Sequence, residues 1–241
     1  GIDACIMSNK TSSADRIREK KKLFLAREQK IIDAALELFL KQSIDSVTVS
    51  KIAAVAGIGK GTVYKHFLTK NEILARIMLD YERNITNCLA AGIVKAEEGD
   101  PGAAAKGYFE ARLERPELDR LVQQLEARLI DSPDIADQIN ELHRTRRSNE
   151  ESLSELMNGL IGEGILEDVP PHFHYLACWA LAQGAVELCF NASWNYRTDT
   201  KELMDFITNI GVTMGNRGQY RSPDKKAKTG TVPNTKAKPK K

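Results

Sequence analysis

Hydrophobic and polar residues alternate with helical periodicity along most of the chain, and a short capped stretch near the amino terminus stands out. Four apolar residues recur in it at intervals of three or four: Val49, Ile52, Ala53 and Ala56. Thr48 precedes them in the position of a helix cap, where its side chain can accept a hydrogen bond from a free backbone amide. Gly57 follows them. The pattern predicts a short helix that ends in a glycine turn.

A second short helix is predicted to begin at Gly59 or Lys60, with Val63 and Phe67 facing inward at a spacing of four. The remaining polar set is expected to face outward and comprises Lys60, Gly61, Thr62, Tyr64, Lys65 and His66. Two helices joined by a tight turn form a helix-turn-helix motif. Lys60 is unfavourable at the positive end of a helix dipole, unless a phosphate or a base edge compensates it. The alternative is a solvated face on a small helical module.

The rest of the chain is predicted to be helical as well, and Pro and Gly residues separate the segments. The expected helices cover residues 31–40, 71–98, 103–115, 118–129, 134–162, 172–194 and 201–215. No stretch shows the alternation of a strand. The fold class is therefore predicted to be all-α.

Two of these helices depart from a simple amphipathic pattern. On the apolar face of 134–162, the spacing from Leu142 meets Arg146 and Asn149 before it returns to Leu153. Either side chain could orient a ligand; alternatively, Arg146 lies along the surface or pairs with a carboxylate. The helix 172–194 is apolar on nearly all sides, so it must bury one face in its own domain and another elsewhere. We expect the last two helices to form a dimer interface, the alternative being one central helix in a monomer.

Charge is distributed unevenly along the 241 residues. Residues 1–75 carry 13 Lys and Arg against 8 Asp and Glu, and residues 76–215 carry 13 against 24. Residues 216–241 carry 9 against 1. Basic ends favour contact with phosphate, whereas an acidic middle would be repelled by nucleic acid. The basic residues before the first helix could act as an arm on DNA or form a disordered tail.

Other chemistries find little support in the sequence. Cys5, Cys88, Cys178 and Cys189 are widely scattered, so we expect free thiols and neither a zinc site nor disulfides. The closely spaced His172 and His174 would point to different helix faces, and no metal or cofactor is expected. No catalytic motif and no apolar run of membrane-spanning length is visible. We expect a cytoplasmic protein that is not an enzyme, and a native start at Met7 that would make residues 1–6 a cloning remnant.

From Glu28 to Lys70 the chain resembles the amino-terminal domain of the tetracycline-repressor (TetR) family of bacterial transcription regulators. The resemblance rests on the helix IIDAALELFL, the Thr-capped second helix, the AG turn at Ala56 and the string KGTVYKHF from Lys60. It implies recognition-helix contacts with DNA by Lys60, Gly61, Thr62, Tyr64, Lys65 and His66. It also implies contacts by Thr48, Ser50 and Lys51 from the second helix, and a phosphate contact by Lys70.

Two positions depart from the family pattern. Gly59 stands where a Ser usually caps the recognition helix, which costs a few tenths of a kcal/mol and removes a hydroxyl group. Ser43 and Ile44 replace the usual glycine and aromatic residue after the first helix, so we expect that corner to be built differently.

The expected organisation has four parts. A flexible basic arm (1–26) and a helix-turn-helix domain (27–72) precede a larger helical ligand-binding and dimerisation domain (73–215) and a disordered basic tail (216–241). The family implies a ligand-released repressor that binds a pseudo-palindromic DNA operator as a homodimer. Candidate contacts for an apolar or amphipathic effector are Phe109, Leu125, Arg146, Asn149, Trp179 and Gln183. The alternatives are a ligand-independent or activating DNA-binding protein, and a helical scaffold or enzyme whose basic head is incidental.

Overall fold

The structure is a computed structural model that describes residues 13–193 and 200–215. Within these residues the chain forms α-helices and two short 3-10 turns, Ile44–Ser46 and Pro133–Ile135, and contains no strand. The helices are α1 (Ser13–Lys41), α2 (Val49–Ala56), α3 (Lys60–Val63), α4 (Lys70–Glu97), α5 (Ala103–Leu113), α6 (Pro116–Leu129), α7 (Ala136–Gly162), α8 (Pro171–Phe190) and α9 (Thr200–Thr213). The all-α prediction is confirmed for the part of the chain that the structure describes. The tail 216–241 and residues 1–12 lie outside it.

The described residues form two compact units. The first contains the residues up to 81 together with 121–141, and the second contains 82–120 and the residues from 142 onward. These units differ from the domains 27–72 and 73–215 that the sequence predicts. The difference arises because α4, α6 and α7 each contribute to both units, and helical periodicity does not show where along a continuous helix its packing partner changes.

The first unit is built around the inward faces of α1, α2 and α3. The residues that are almost completely buried include Ile31, Ala35, Ile52, Val63 and Leu125. Thr48 caps α2 as predicted, because its Oγ1 accepts a hydrogen bond from the Lys51 amide at 3.2 Å. Gly57 ends α2 with φ 66°, a left-handed conformation that glycine adopts at little cost.

The prediction of a flexible arm is wrong for residues 13–26. They belong to α1, which begins at Ser13 and continues without a break to Lys41. The side chains from residue 14 to residue 27 are exposed, so they have no inward apolar face of the kind that predicted helix 31–40. A periodic signal is therefore missing there, although the Arg, Lys, Glu and Leu residues of this stretch favour helix by intrinsic propensity.

The second unit has a core where α8 and α9 meet. Ala185, Met204 and Ile207 are buried there, with Leu181 and Leu203 among the half-buried residues packed against them. Helix α5 also packs against α8 and α9. No helix within 13–193 or 200–215 is both long enough and apolar enough to cross a bilayer.

One charged pair in the second unit is almost fully buried. Arg112 of α5 donates to both carboxylate oxygens of Asp119 on α6, from Nε at 2.8 Å and from Nη2 at 2.9 Å. The exposed fractions of the two side chains are 4% and 1%. The bidentate geometry satisfies both charges and joins α5 to α6.

Candidate nucleic-acid interface

Helix α3 is short, but helical hydrogen bonding continues beyond it. The Thr62 amide donates to the Gly59 carbonyl at 2.8 Å, and the Phe67 amide donates to the Val63 carbonyl at 2.9 Å. Gly59 occupies the N-cap position, without a side-chain hydrogen bond. We call residues 59–67 the recognition turn. Val63 and Phe67 are buried as predicted, with exposed fractions of 0% and 6%.

The outward side of the recognition turn carries cations, a phenol and a glycine. Lys60, Gly61, Tyr64 and Lys65 are exposed, and Thr62 is half-buried. The Lys60 ammonium lies 5.8 Å from the centroid of the Tyr64 ring, a cation–π distance. The turn therefore presents a compact polar surface that its own core does not use.

His66 does not belong to this outward surface, contrary to the prediction. Its side chain is 3% exposed, and its ring stacks on Phe24 of α1 with the centroids 4.1 Å apart. Its Nδ1 has no hydrogen-bond partner among the described residues and lies 3.8 Å from a carboxylate oxygen of Glu28. His66 is placed to hold the end of the recognition turn against α1.

Glu28 continues this contact to α4. Its second carboxylate oxygen lies 3.5 Å from Nη1 of Arg76, and Arg76 Nε donates to Asp80 at 3.0 Å. Burial opposes the charge of Arg76, but hydrogen bonding and charge from Asp80, together with the charge of Glu28, outweigh burial and raise its pKa. The set of site residues predicted from the sequence does not include Phe24, Glu28 or Arg76. Only the spacing of four between Arg76 and Asp80 was a local signal.

Two lysines predicted to contact DNA hold the corner between α1 and α2. Lys51 Nζ donates to the Ser46 carbonyl at 2.8 Å and to Gln42 at 3.2 Å. Lys70 Nζ donates to the carbonyls of Ile44 and Val47 at 3.0 and 3.2 Å. The corner is thus built differently from a glycine turn, as the Ser43–Ile44 sequence predicted. The Lys70 ammonium uses two of its three donors within the protein, and its predicted contact with a phosphate stays a prediction.

The other two predicted contacts of α2, Thr48 and Ser50, are both exposed. The Thr48 hydroxyl oxygen accepts the capping hydrogen bond, and a hydroxyl group can still donate its proton to a phosphate. The DNA contacts predicted for Thr48, Ser50 and Lys51 stay predictions.

The start of α4 is fixed by a capping arrangement. Thr69 Oγ1 accepts from the Glu72 amide at 3.1 Å, and the Glu72 carboxylate accepts from the Leu68 amide at 2.6 Å. The T-x-x-E spacing is typical of such caps. Asp134 then accepts hydrogen bonds from Thr69 and Asn71. These contacts fix the chain directly after the recognition turn.

A surface ion pair joins the α1–α2 corner to α6 within the first unit. Both terminal nitrogens of Arg128 donate to the Asp45 carboxylate. The hydrogen bonds and the positive charge of Arg128 lower the pKa of Asp45. Nothing in the local sequence linked these two residues, which are 83 positions apart.

The polar interruption on α7 faces a buried acid. Arg146 Nε donates to Glu82 of α4 at 2.8 Å, and Asn149 donates to Thr86 at 2.9 Å. Glu82 is 5% exposed. The alternative that Arg146 pairs with a carboxylate therefore holds, and the carboxylate is that of Glu82. Arg146 and Asn149 satisfy polar groups of α4, and their assignment as ligand contacts stays a prediction.

The other four predicted ligand contacts have different surroundings. Phe109 is fully buried, and a Cβ atom at Gly211 would collide with its ring. Leu125 is fully buried in the other unit. The Gln183 side chain accepts a hydrogen bond from Arg112 at 3.0 Å, and Trp179 is 48% exposed on α8. The ligand contacts predicted for Phe109, Leu125, Trp179 and Gln183 stay predictions.

No group of three or more metal-ligating side chains comes together within the described ranges. His174 is buried, and its Nε2 lies 3.1 Å from the Glu167 carbonyl, while His172 is exposed. The two histidines thus have separate surroundings, as their spacing predicted.

A packed helix-turn-helix whose outward surface carries cationic and hydroxyl groups, followed by further helices, is the arrangement found in helix-turn-helix domains that bind DNA. Over residues 31–77 the chain matches the family described as "Bacterial regulatory proteins, tetR family". The amino-terminal domain belongs to this TetR family, as its motifs predicted. A match to a family of transcription regulators argues against an enzymatic function.

Relatives and solved structures agree with this assignment. The HTH-type transcriptional regulator SrpR of Pseudomonas putida is 46% identical over 50 residues, which are 21% of this chain and 24% of that protein. The regulator TtgR, also from Pseudomonas putida, is 26% identical over 132 residues, or 55% and 62% of the two chains. The crystal structure of a TetR/AcrR-family regulator from Thermobifida fusca superposes with a TM-score of 0.61 at 20% identity, covering 81% of this chain and 100% of that one.

Sequence similarity to these relatives is concentrated in the helix-turn-helix domain. The matched stretch spans about a quarter of the length of SrpR, and the likeness to the Thermobifida structure concerns the fold. The two-part helical architecture of TetR regulators is therefore the fold of this chain.

Proposed function

We propose that this chain is a ligand-responsive bacterial transcription regulator, a repressor that binds a pseudo-palindromic operator as a homodimer and is released by a small molecule. The observation that carries the proposal is the exposed set of Lys60, Gly61, Tyr64 and Lys65 on a turn whose inward residues are buried. Base edges in the major groove are read by such donors at close range. Gly61 has no Cβ, and an added one would meet no atom within 4 Å, so the backbone is open to an approaching groove.

Dimerisation is supported by an unpartnered apolar face on the last two helices. Phe173, Leu176 and Trp179 of α8 are each about half exposed, and Phe206 and Ile210 of α9 are 60% and 43% exposed. Single exposed apolar residues are common, but this many on two packed helices favour a protein interface. We propose that a second copy of the chain packs on this face, because two recognition turns related by a twofold axis fit half-sites about 34 to 36 Å apart.

A groove in the second unit offers a place for the effector. It has a volume of about 620 Å³ and lies between α4 and α7, with Ile93, Leu156 and Leu160 among its apolar lining residues. Exposed Glu97 and Glu155 stand at its edge. Ligand sites commonly have volumes of about 300 to 1,000 Å³ with mostly apolar walls. An amphipathic molecule would match this lining, which combines apolar side chains with glutamates.

Footprinting on DNA that flanks the chain's own gene tests the regulatory proposal. At two salt concentrations we expect protection of a pseudo-palindrome whose half-sites lie one helical turn apart, with weaker binding at the higher concentration. Protection without sequence preference, or none, would support a scaffold with an incidental basic head.

Effector binding is tested separately by thermal shift. A compound that binds the native state raises the unfolding midpoint by mass action. Leu156→Trp fills the groove and is expected to abolish the shift, whereas Val94→Trp places the same ring at an exposed position outside the groove lining and should preserve it. A shift that survives Leu156→Trp places the effector elsewhere. If no compound from a broad apolar and amphipathic set shifts the midpoint, the ligand-independent regulator becomes the better account.

A further inference from the structure

Helix α1 continues far beyond the part that packs in the first unit. Eighteen residues, from Ser13 to Lys30, precede the first fully buried position, Ile31. At about 1.5 Å per residue this extension is roughly 27 Å long. Its side chains are exposed from residue 14 to residue 27. The core of the unit does not explain why this segment is present.

The extension is basic. Its cationic residues are Arg16, Arg18, Lys20, Lys21, Lys22, Arg27 and Lys30, and its acids are Asp15, Glu19 and Glu28. Arg18 lies 3.9 Å from Asp15. No carboxylate within the described residues pairs with Lys20 or Lys21. These two ammonium groups are available to an anionic partner.

The recognition turn fixes the position of this helix. The Phe24 ring stacks on His66, which directly follows the exposed residues Tyr64 and Lys65. Lys20 and Lys21 come four and three residues before Phe24, so they lie one turn away on the same side of α1. Arg18 and Lys22 lie farther round the helix, about 120° and 160° from Phe24 at about 100° per residue.

We infer that Lys20 and Lys21 bind the DNA backbone beside the major groove that the recognition turn enters. The inference rests on the proposed function and deepens it. One helical turn is about 5.4 Å, and the major groove is about 12 Å wide. We expect a lysine one turn from Phe24 to reach the phosphates that border the groove. The helix supplies affinity without reading bases.

A membrane surface fits the extension less well. Its other exposed apolar residues, Ile17, Leu23 and Leu25, point to different sides of the helix. A helix that lies on a membrane needs one continuous apolar face.

Two double variants of the full chain test the inference. Lys20→Gln with Lys21→Gln removes both charges from the Phe24 side, and Arg18→Gln with Lys22→Gln removes two charges that lie about 120° and 160° away from Phe24, as a matched control. The dependence of affinity on salt is measured for the operator and for a random duplex. Because each phosphate contact contributes about 0.9 to the log–log slope, the first variant should lower the slope by about 1.8 on both duplexes. The control should retain the native slope, and circular dichroism should show native helix content for both.

The other outcomes separate the two proposals. Equal slope losses from both variants would reveal a diffuse charge effect and overturn the inference, as would an unchanged slope in the first variant. Charge-dependent binding of the native chain to anionic phospholipid vesicles, with DNA binding unchanged in the first variant, would assign the helix to a membrane. If the native chain shows no preference for its operator, the proposed function fails as well.

Discussion

Val63 and Phe67 hold the recognition turn in the core of the first unit, while Lys60, Tyr64 and Lys65 stay accessible. The spacing of four that buries the first two also turns the others outward. Helical segments this short have little stability of their own. The residues at both ends of the turn therefore decide how firmly its exposed side chains are held.

Gly59 leaves the start of the turn without a side-chain cap. Its backbone angles, φ −70° and ψ 144°, are ordinary for any residue, and an added Cβ would lie 3.9 Å from Thr62 Oγ1 as its nearest neighbour. Gly59→Ser is therefore expected to stabilise the protein by a few tenths of a kcal/mol and to raise operator affinity modestly. Thermal unfolding and DNA titration measure the two effects. Gly59→Ala is the control, because it adds the Cβ without the hydroxyl; equal midpoints for the two variants would contradict a capping effect.

His66 supports the other end of the turn from inside. Truncation by His66→Ala removes the stack on Phe24 and should cost about 1 to 3 kcal/mol of unfolding free energy, weakening all DNA binding. His66→Phe should retain most of the stability, because the imidazole Nδ1 makes no hydrogen bond to a described residue. Tyr64→Ala, at an exposed position, should instead leave stability unchanged. Loss of stability in His66→Phe would show that the imidazole, rather than the packed ring, is required.

At the scale of helices, the sequence was most informative where local spacing decides structure. Helix α7 begins within two residues of its predicted start, and the predicted cap Thr48 and turn Gly57 are in place. Contacts between distant segments could not be predicted in this way. The burial of His66 depends on Phe24, which lies 42 positions earlier in the chain, and the polar gap on α7 is explained by Glu82, 64 positions from Arg146.

The buried pair that joins α5 to α6 gives a prediction at this scale. Arg112→Ala leaves Asp119 charged and buried, and it should destabilise the second unit by about 3 to 5 kcal/mol. Arg112→Met with Asp119→Leu should recover most of this loss, because neither charge is then buried alone. Urea unfolding measures both.

The exposed pair of Arg115 and Glu117 provides the control for that experiment. Both side chains are about half exposed, so Arg115→Ala should cost less than about 1 kcal/mol. If the double variant is as unstable as Arg112→Ala, the hydrogen bonds of Arg112 to Tyr108 and Gln183 matter more than its charge pair.

At the scale of the whole molecule, the apolar face of α8 and α9 predicts self-association. Phe206 is 60% exposed in one copy, and Phe206→Asp places a charge on this apolar face. Because a charge buried in the interface is costly, the variant should sediment as a single copy, whereas the native chain should sediment as a dimer. Val94→Asp introduces the same charge at a 53% exposed valine outside these helices and should leave the dimer intact. A native chain that sediments as a single copy at micromolar concentration contradicts the proposed interface.

The central claim is that the exposed side chains of the recognition turn read bases in the major groove. The most direct test is the ratio of affinities for the operator and for a scrambled duplex of equal length and composition. For the native chain this ratio should be large, and for Lys60→Ala with Tyr64→Ala it should fall towards one while affinity for the scrambled duplex changes little. A double variant that keeps the native preference would show that the operator is recognised by some other surface.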